Sequence, residues 1–267
     1  MSSSSFSVEQ ILKKYAAGDE QAIATYGKLC GAFEVFRQWD ATSVIKFVRQ
    51  FSGVADYLDH SCQRLVAGLV KVDWALLDGA TLESHTNLLV EIALKHVVHS
   101  ESVLNAFVQK FLAAVNQVCS DDGVIDNDDL MALPPGISRQ RPRYELALAE
   151  NDQIRIFETA HRALYVIIES FPMCAKTLLH SFQNNFPHPS VSTIRFHLYV
   201  RNILVATEYL HEIRGQLWSL AIDNLVALDV KNTSLDRPIL SIVCVVDNYR
   251  TIGEERVGHE RTGKSSV

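Results

Sequence analysis

Four places in this sequence hold residue types that could do chemistry. The first, Gly258-His-Glu-Arg-Thr-Gly263-Lys264-Ser265, fits the G-x-x-x-x-G-K-[ST] spacing of a phosphate-binding loop letter for letter. Such a loop works between a sheet strand and a helix whose N-terminus faces the phosphates. Only Ser266 and Val267 follow it, too few for that helix, so the segment reads as a charged tail and no bound nucleotide is expected. The second is the acid cluster Asp121, Asp122, Asp126, Asp128 and Asp129. Set against a calcium loop starting at Asp126, the glycine and the closing glutamate are misplaced, so bidentate closure is missing and the acids read as solvated charge.

The third place is histidine. His96 and His99 lie one helical turn apart, as two ligands of one metal would, but no third ligand stands at a recognisable spacing, and surface or helix-cap positions are expected. His161 would serve as a general base only beside a serine or cysteine in a nucleophile elbow, and none accompanies it, so packing is its expected role. No catalytic residue, metal ligand or cofactor contact is therefore assigned. The fourth place is the turn Pro187-His188-Pro189-Ser190-Val191-Ser192-Thr193, which sets three hydroxyls at a helix N-terminus. A phosphate there would meet unpaired backbone N–H groups, or repel an acidic partner. Ser190, Ser192 and Thr193, with Arg195 one turn into the helix, are the candidates for a phosphorylation switch or partner contact; ordinary N-capping is the plain alternative for Ser190.

The elements that must carry these residues are helices. Val103, Leu104, Phe107, Val108, Phe111, Leu112, Val115 and Val118 follow the i, i+3, i+4, i+7 rule of one buried stripe, and the spacing predicts a long helix there. Similar stripes run over Val8 to Tyr15, Val44 to Phe51, Cys62 to Val70, Leu82 to His96, Ile154 to Ile168, Cys174 to Phe182, Val191 to Glu208 and Leu210 to Leu228. Asp40, Ser100 and the Pro187 to Ser190 turn supply helix boundaries. Helix pairs recurring at roughly 40-residue intervals without an obvious repeated word predict an all-α, HEAT- or armadillo-like solenoid of antiparallel pairs, with a bundle as the alternative. Val191 to Glu208 is apolar around most of its circumference, which favours the solenoid. The pattern breaks between 120 and 152, where acids, Pro134-Pro135-Gly136 and Arg139, Arg141 and Arg143 predict a mobile surface loop. The expected organisation is a helical solenoid over 1–231 and an irregular tail over 232–267.

Composition narrows the function. The 267 residues are 48% hydrophobic, enough for a substantial core. A net charge of −6 and a pI near 5.9 speak against a dedicated nucleic-acid binder, so no direct sequence-specific reading of DNA is expected. The aromatic residues at helical spacing read as core rather than as a base-stacking platform. Five scattered cysteines without a C-x-x-C pair indicate a reducing compartment, cytosol or nucleus. The N-terminus lacks a secretory signal, and the apolar run Ile239 to Val246 is far shorter than the roughly 20 residues of a membrane span, so no membrane partner is expected.

One group of words is specific. F-x-x-x-HRAL (Phe157, His161, Arg162, Ala163, Leu164), Phe186-Pro187, the YVRN of Tyr199 to Asn202, the Arg214 region and Leu228-Asp229-Val230 together resemble the RNA polymerase I-specific transcription initiation factors. The resemblance spans residues 8 to 231 and stops after Lys231. Trp74, in KVDWALLD, is similar to a helix-to-helix corner of that family, and family members carry an acidic insertion before the HRAL word. The resemblance implies a non-enzymatic protein of the nucleus and nucleolus. Its partners would be polymerase I subunits and the promoter selectivity factor, and phosphorylation of surface serines would control attachment to the polymerase. The matching residues Phe157, His161, Arg162, Leu164, Tyr199, Asn202, Arg214 and Asp229 are expected to be mostly structural. Family members are more than twice as long, so the alternatives are a generic solenoid adaptor or a truncated form, non-functional or competing with the full-length factor.

Overall fold

The computed structural model describes residues 7–113, 150–188 and 193–232. Among them there is no strand. Ten α-helices follow in order: α1 (Val8–Ala16), α2 (Glu20–Glu34), α3 (Ala41–Val48), α4 (Gln63–Leu69), α5 (Gly79–Lys95), α6 (Ser100–Lys110), α7 (Glu150–Ser170), α8 (Ala175–Asn184), α9 (Thr193–Tyr209) and α10 (Arg214–Asn232). The chain forms two compact units, Met1–Asn185 and Phe186–Val267. The acidic and proline-rich stretch near 120–152 falls almost wholly outside the described residues, as do the hydroxyl turn from Pro189 to Ser192 and the tail after Asn232.

Side chains start the helices. The carboxylates of Asp19, Asp40 and Asp78 accept from the backbone N–H groups of Ala22, Ser43 and Thr81 at 2.8, 3.1 and 2.8 Å, so each satisfies a donor that the first turn leaves orphaned. Ser100 departs from expectation. It stands inside its helix, and its hydroxyl donates to the Ala93 carbonyl at 2.9 Å instead of capping. α6 ends at Lys110, followed by a closing turn to Ala113, so the described part of the helix is shorter than the apolar stripe. α2 was absent from the expected stripes. It buries only Ala22, Tyr26 and Cys30, small or polar-tipped residues that periodicity reads weakly.

A corner geometry recurs along the chain. Helices α5, α7 and α9 each end at a residue outside the helical region: His96 (φ −129°, ψ 85°), Phe171 (φ −136°, ψ 73°) and Leu210 (φ −92°, ψ 66°). Each of these pivots still donates its N–H to the carbonyl four residues back, at 2.8–2.9 Å. A three-residue 3₁₀ turn follows (Val97–His99, Pro172–Cys174, His211–Ile213), and the second helix of the pair begins at once. Leu58 (φ −97°, ψ 57°) opens a similar corner with one extra residue before His60–Cys62. Leu58 and His96 are 38 residues apart, and Phe171 and Leu210 39.

Burial follows the same register. Fourteen residues before each pivot stand Val44, Leu82, Phe157 and Phe196; seven before, Phe51, Leu89, Leu164 and Ile203; four before, Val54, Ile92, Ile167 and Ala206. All twelve are buried, and so are His99, Cys174 and Ile213 three residues after their pivots. The described residues thus form helix pairs that share one corner register, and within the first unit successive pairs pack on one another.

In the first unit, side chains of one repeat bond to the turns of the repeat before it. Nε2 of His96 and of His99 lie 2.8 Å from the carbonyls of Ala55 and Asp59. Lys110 Nζ donates to the Val72 carbonyl at 2.9 Å and lies 5.0 Å from the centre of the Trp74 ring. Gln153 Nε2 donates to the Ala113 carbonyl at 2.9 Å. Trp74 packs edge-on against Phe107 at 5.7 Å, as a corner anchor should. In the second unit, α9 packs on α10, and Phe186 meets Phe196 and Tyr199 at 5.5 and 5.2 Å.

Candidate interaction surface

The corners of the first unit lie on one edge, and named contacts fix this. Arg155, near the start of α7, reaches the Leu77 carbonyl just before α5, so the two first helices begin side by side. Phe111, at the end of α6, stacks on Phe182 near the end of α8, so the two second helices finish side by side. The α5–α6 and α7–α8 corners therefore share the opposite edge, and the His96 and His99 bonds bring the Asp59–Cys62 corner beside them.

This edge presents apolar side chains to solvent. Val97, Val98 and Met173 are 61%, 60% and 79% exposed, while the third residue of each turn points inward. Single exposed apolar residues are ordinary; here two in one turn and one in the next share an edge. His60 and Ser61, exposed at the neighbouring corner, add polar groups at its border. Sequence reasoning missed these residues because it followed stripes, and they stand in turns.

His96 and His99 take helix-cap positions, as expected: His96 closes α5 and His99 precedes α6. His99 is buried and His96 half-buried, and their rings bridge consecutive repeats. His161 stacks on Phe111 at 4.5 Å, in line with packing. His85 is buried in α5, and neither ring nitrogen makes a well-formed hydrogen bond. Burial, helped by the nearby Lys110 ammonium, pushes its imidazole down to about 3, and the nearby Leu69 backbone opposes that shift only weakly. Among the described residues no group of three or more His, Cys, Asp or Glu could hold a metal ion. No helix among them is long and apolar enough to cross a membrane.

The remaining candidates divide by burial. Phe157, Leu164, Tyr199 and Asn202 are interior, with the Asn202 amide donating to the Leu198 carbonyl at 2.7 Å. Arg162 is exposed on α7. Arg214 opens α10 and clasps its corner, with Nε donating to the Thr207 carbonyl at 2.7 Å and a second guanidinium nitrogen meeting His211 Nδ1. Arg195 is exposed in the first turn of α9. Thr193 and Asp229 belong to helices, but their side chains, like Ser190 and Ser192 altogether, are outside the described residues.

Comparison with known proteins adds a family. The model of the RNA polymerase I specific transcription initiation factor RRN3 family matches residues 3–256. The chain is 27% identical to the RNA polymerase I-specific transcription initiation factor tif-1A of Caenorhabditis elegans, over 84% of this chain and 31% of that protein. It is 23% identical to RRN3 of Mus musculus, over 72% of this chain and 27% of that protein. A crystal structure of RNA polymerase I transcription initiation factor Rrn3 superposes with a TM-score of 0.53 at 12% identity, covering 85% of this chain and 40% of the other, and so shares the fold. The chain thus spans less than a third of the length of these two relatives. The family match also runs 25 residues past Lys231, where the sequence resemblance had been taken to stop.

Proposed function

We infer function from one premise: this chain belongs to the RNA polymerase I specific transcription initiation factor RRN3 family. We propose that it acts by binding, not catalysis: it attaches to RNA polymerase I and helps bring the enzyme, together with the promoter selectivity factor, to ribosomal RNA gene promoters in the nucleolus. The observation that carries this reading is the family match over 3–256, almost the whole chain. The fold supports it. The Val97, Val98 and Met173 edge supplies accessible apolar contact area.

The hydroxyl turn before α9 is the proposed control point. Phosphorylation of Ser190, Ser192 or Thr193 adds close to two negative charges per site at neutral pH, which would repel an acidic partner surface. A tagged chain and its Ser190→Asp, Ser192→Asp, Thr193→Asp triple variant, each incubated with nuclear extract and probed for polymerase I subunits, test both parts. Capture by the parent and loss in the triple variant is the expected result. Equal capture by both would remove the switch, and no capture by the parent would remove the binding function.

A further inference from the structure

Two neighbouring sulfur atoms on the corner edge meet opposite surroundings. Met173 is 79% exposed and Cys174, the next residue, 9%. The corner register sets this difference. The second residue after each pivot, His60, Val98, Met173 and Glu212, is exposed. The third after His96, Phe171 and Leu210, namely His99, Cys174 and Ile213, is buried. Met173 thus stands in water because the backbone of its turn puts it there, with Pro172 fixing one dihedral of that turn.

Oxidants meet the two kinds of sulfur by different rules. A thiol reacts as its thiolate, so burial that keeps it protonated also keeps it inert. Cys30, Cys62 and Cys174 are buried, and that burial pushes each thiol above its ordinary value. A thioether has no proton to lose, and solvent access governs its reaction with a peroxide. Met173 is the one methionine among the described residues.

We propose that Met173 is an oxidation site through which a hydroperoxide weakens the contact made by the corner edge, a regulation that rests on the polymerase-binding reading above. The sulfur attacks the hydroxyl oxygen of the peroxide. An S–O bond forms, the O–O bond breaks, and the leaving oxygen takes up the remaining proton as water or an alcohol; sulfur gives up the two electrons that the peroxide gains. The sulfoxide sets a polar group at the most exposed apolar position of the edge, while Val97 and Val98 stay as they were. Because the side chain lies outside the interior, the helix pair keeps its packing, and methionine sulfoxide reductases have access to reverse the change.

Hydrogen peroxide on the full purified chain is the probe. Peptide mass spectrometry should find a gain of about 16 Da at Met173, at a rate within about threefold of that of free methionine, with no dimedone adduct on Cys174 before Met173 is converted. Conversion at least about tenfold slower than that of free methionine, or labelling of Cys174 first, overturns the proposal. Binding to purified RNA polymerase I is then compared before and after conversion. A loss of at least about fivefold in the parent, recovered by the two reductases that act on the two sulfoxide epimers, is expected. The affinity of Met173→Leu, whatever its starting value, should not change on peroxide treatment; an equal loss in that variant would place the damage elsewhere and overturn the proposal. Undiminished binding after full conversion also overturns it and leaves the binding function standing, whereas a parent that fails to bind before oxidation removes that function and the proposal with it.

Discussion

The interior of the first unit and its corner edge are made of similar residues put to opposite uses. Phe111 is fully buried among Phe157, His161 and Phe182, whereas Met173, equally apolar, stands 79% exposed on the turn between α7 and α8. In a stacked array of helix pairs, position relative to the pivot decides which residue is structure and which is surface. Interior substitutions should therefore be read in stability, and edge substitutions in binding.

The largest effect expected inside is that of Phe111→Ala, which removes a ring that joins three helices. A loss of about 3–5 kcal/mol is expected in a denaturant titration; a loss below about 1 kcal/mol would break the contrast between interior and edge. Next is Gly68→Ala on α4. An added Cβ would lie 2.5 Å from the Phe33 ring, so the ring must shift, at a cost of up to about 3 kcal/mol in the same titration.

His85 sharpens the comparison through pH. Its folded-state value lies below the ordinary histidine range, so the folded chain keeps it neutral while the unfolded chain takes up a proton below about pH 6.5. Stability from this group is present above that pH and is lost progressively as pH falls from about 6.5 toward 3. Between pH 7 and pH 5, His85→Leu should lose about 2 kcal/mol less stability than the parent. Identical pH slopes would mean that the imidazole is hydrated or paired. The smallest effect on stability belongs to the edge: Val98→Asp with Met173→Asp should stay within about 0.5 kcal/mol of the parent for each site, while capture of polymerase I falls sharply.

Much of this was legible in the sequence, for reasons visible in particular residues. The stripe Val103, Leu104, Phe107, Val108 and Phe111 declared its helix because all five positions are fully buried. Asp40 announced a cap that its carboxylate makes. α2 stayed hidden because Ala22, Tyr26 and Cys30 carry little hydrophobic contrast. The repeat was sensed as an interval near 40 residues, but its register was not, since the pivots His96, Phe171 and Leu210 share a backbone conformation and no side-chain type. His96 and His99 were legible as helix caps, but the bridge they make was hidden for the same reason: the carbonyls they bond, Ala55 and Asp59, belong to the previous repeat and lie about forty positions away. The quoted family words end at Lys231, while the family match reaches 256. The exposed edge could not be read from periodicity at all, because its residues sit in turns.

The most direct measurement is binding of the purified chain to purified RNA polymerase I, compared with the Val98→Asp, Met173→Asp variant at matched stability. Saturable binding by the parent, weakened at least about tenfold in the variant, is the predicted result. Absence of binding by the parent would contradict the account, and equal binding by both would place the contact elsewhere than on the corner edge.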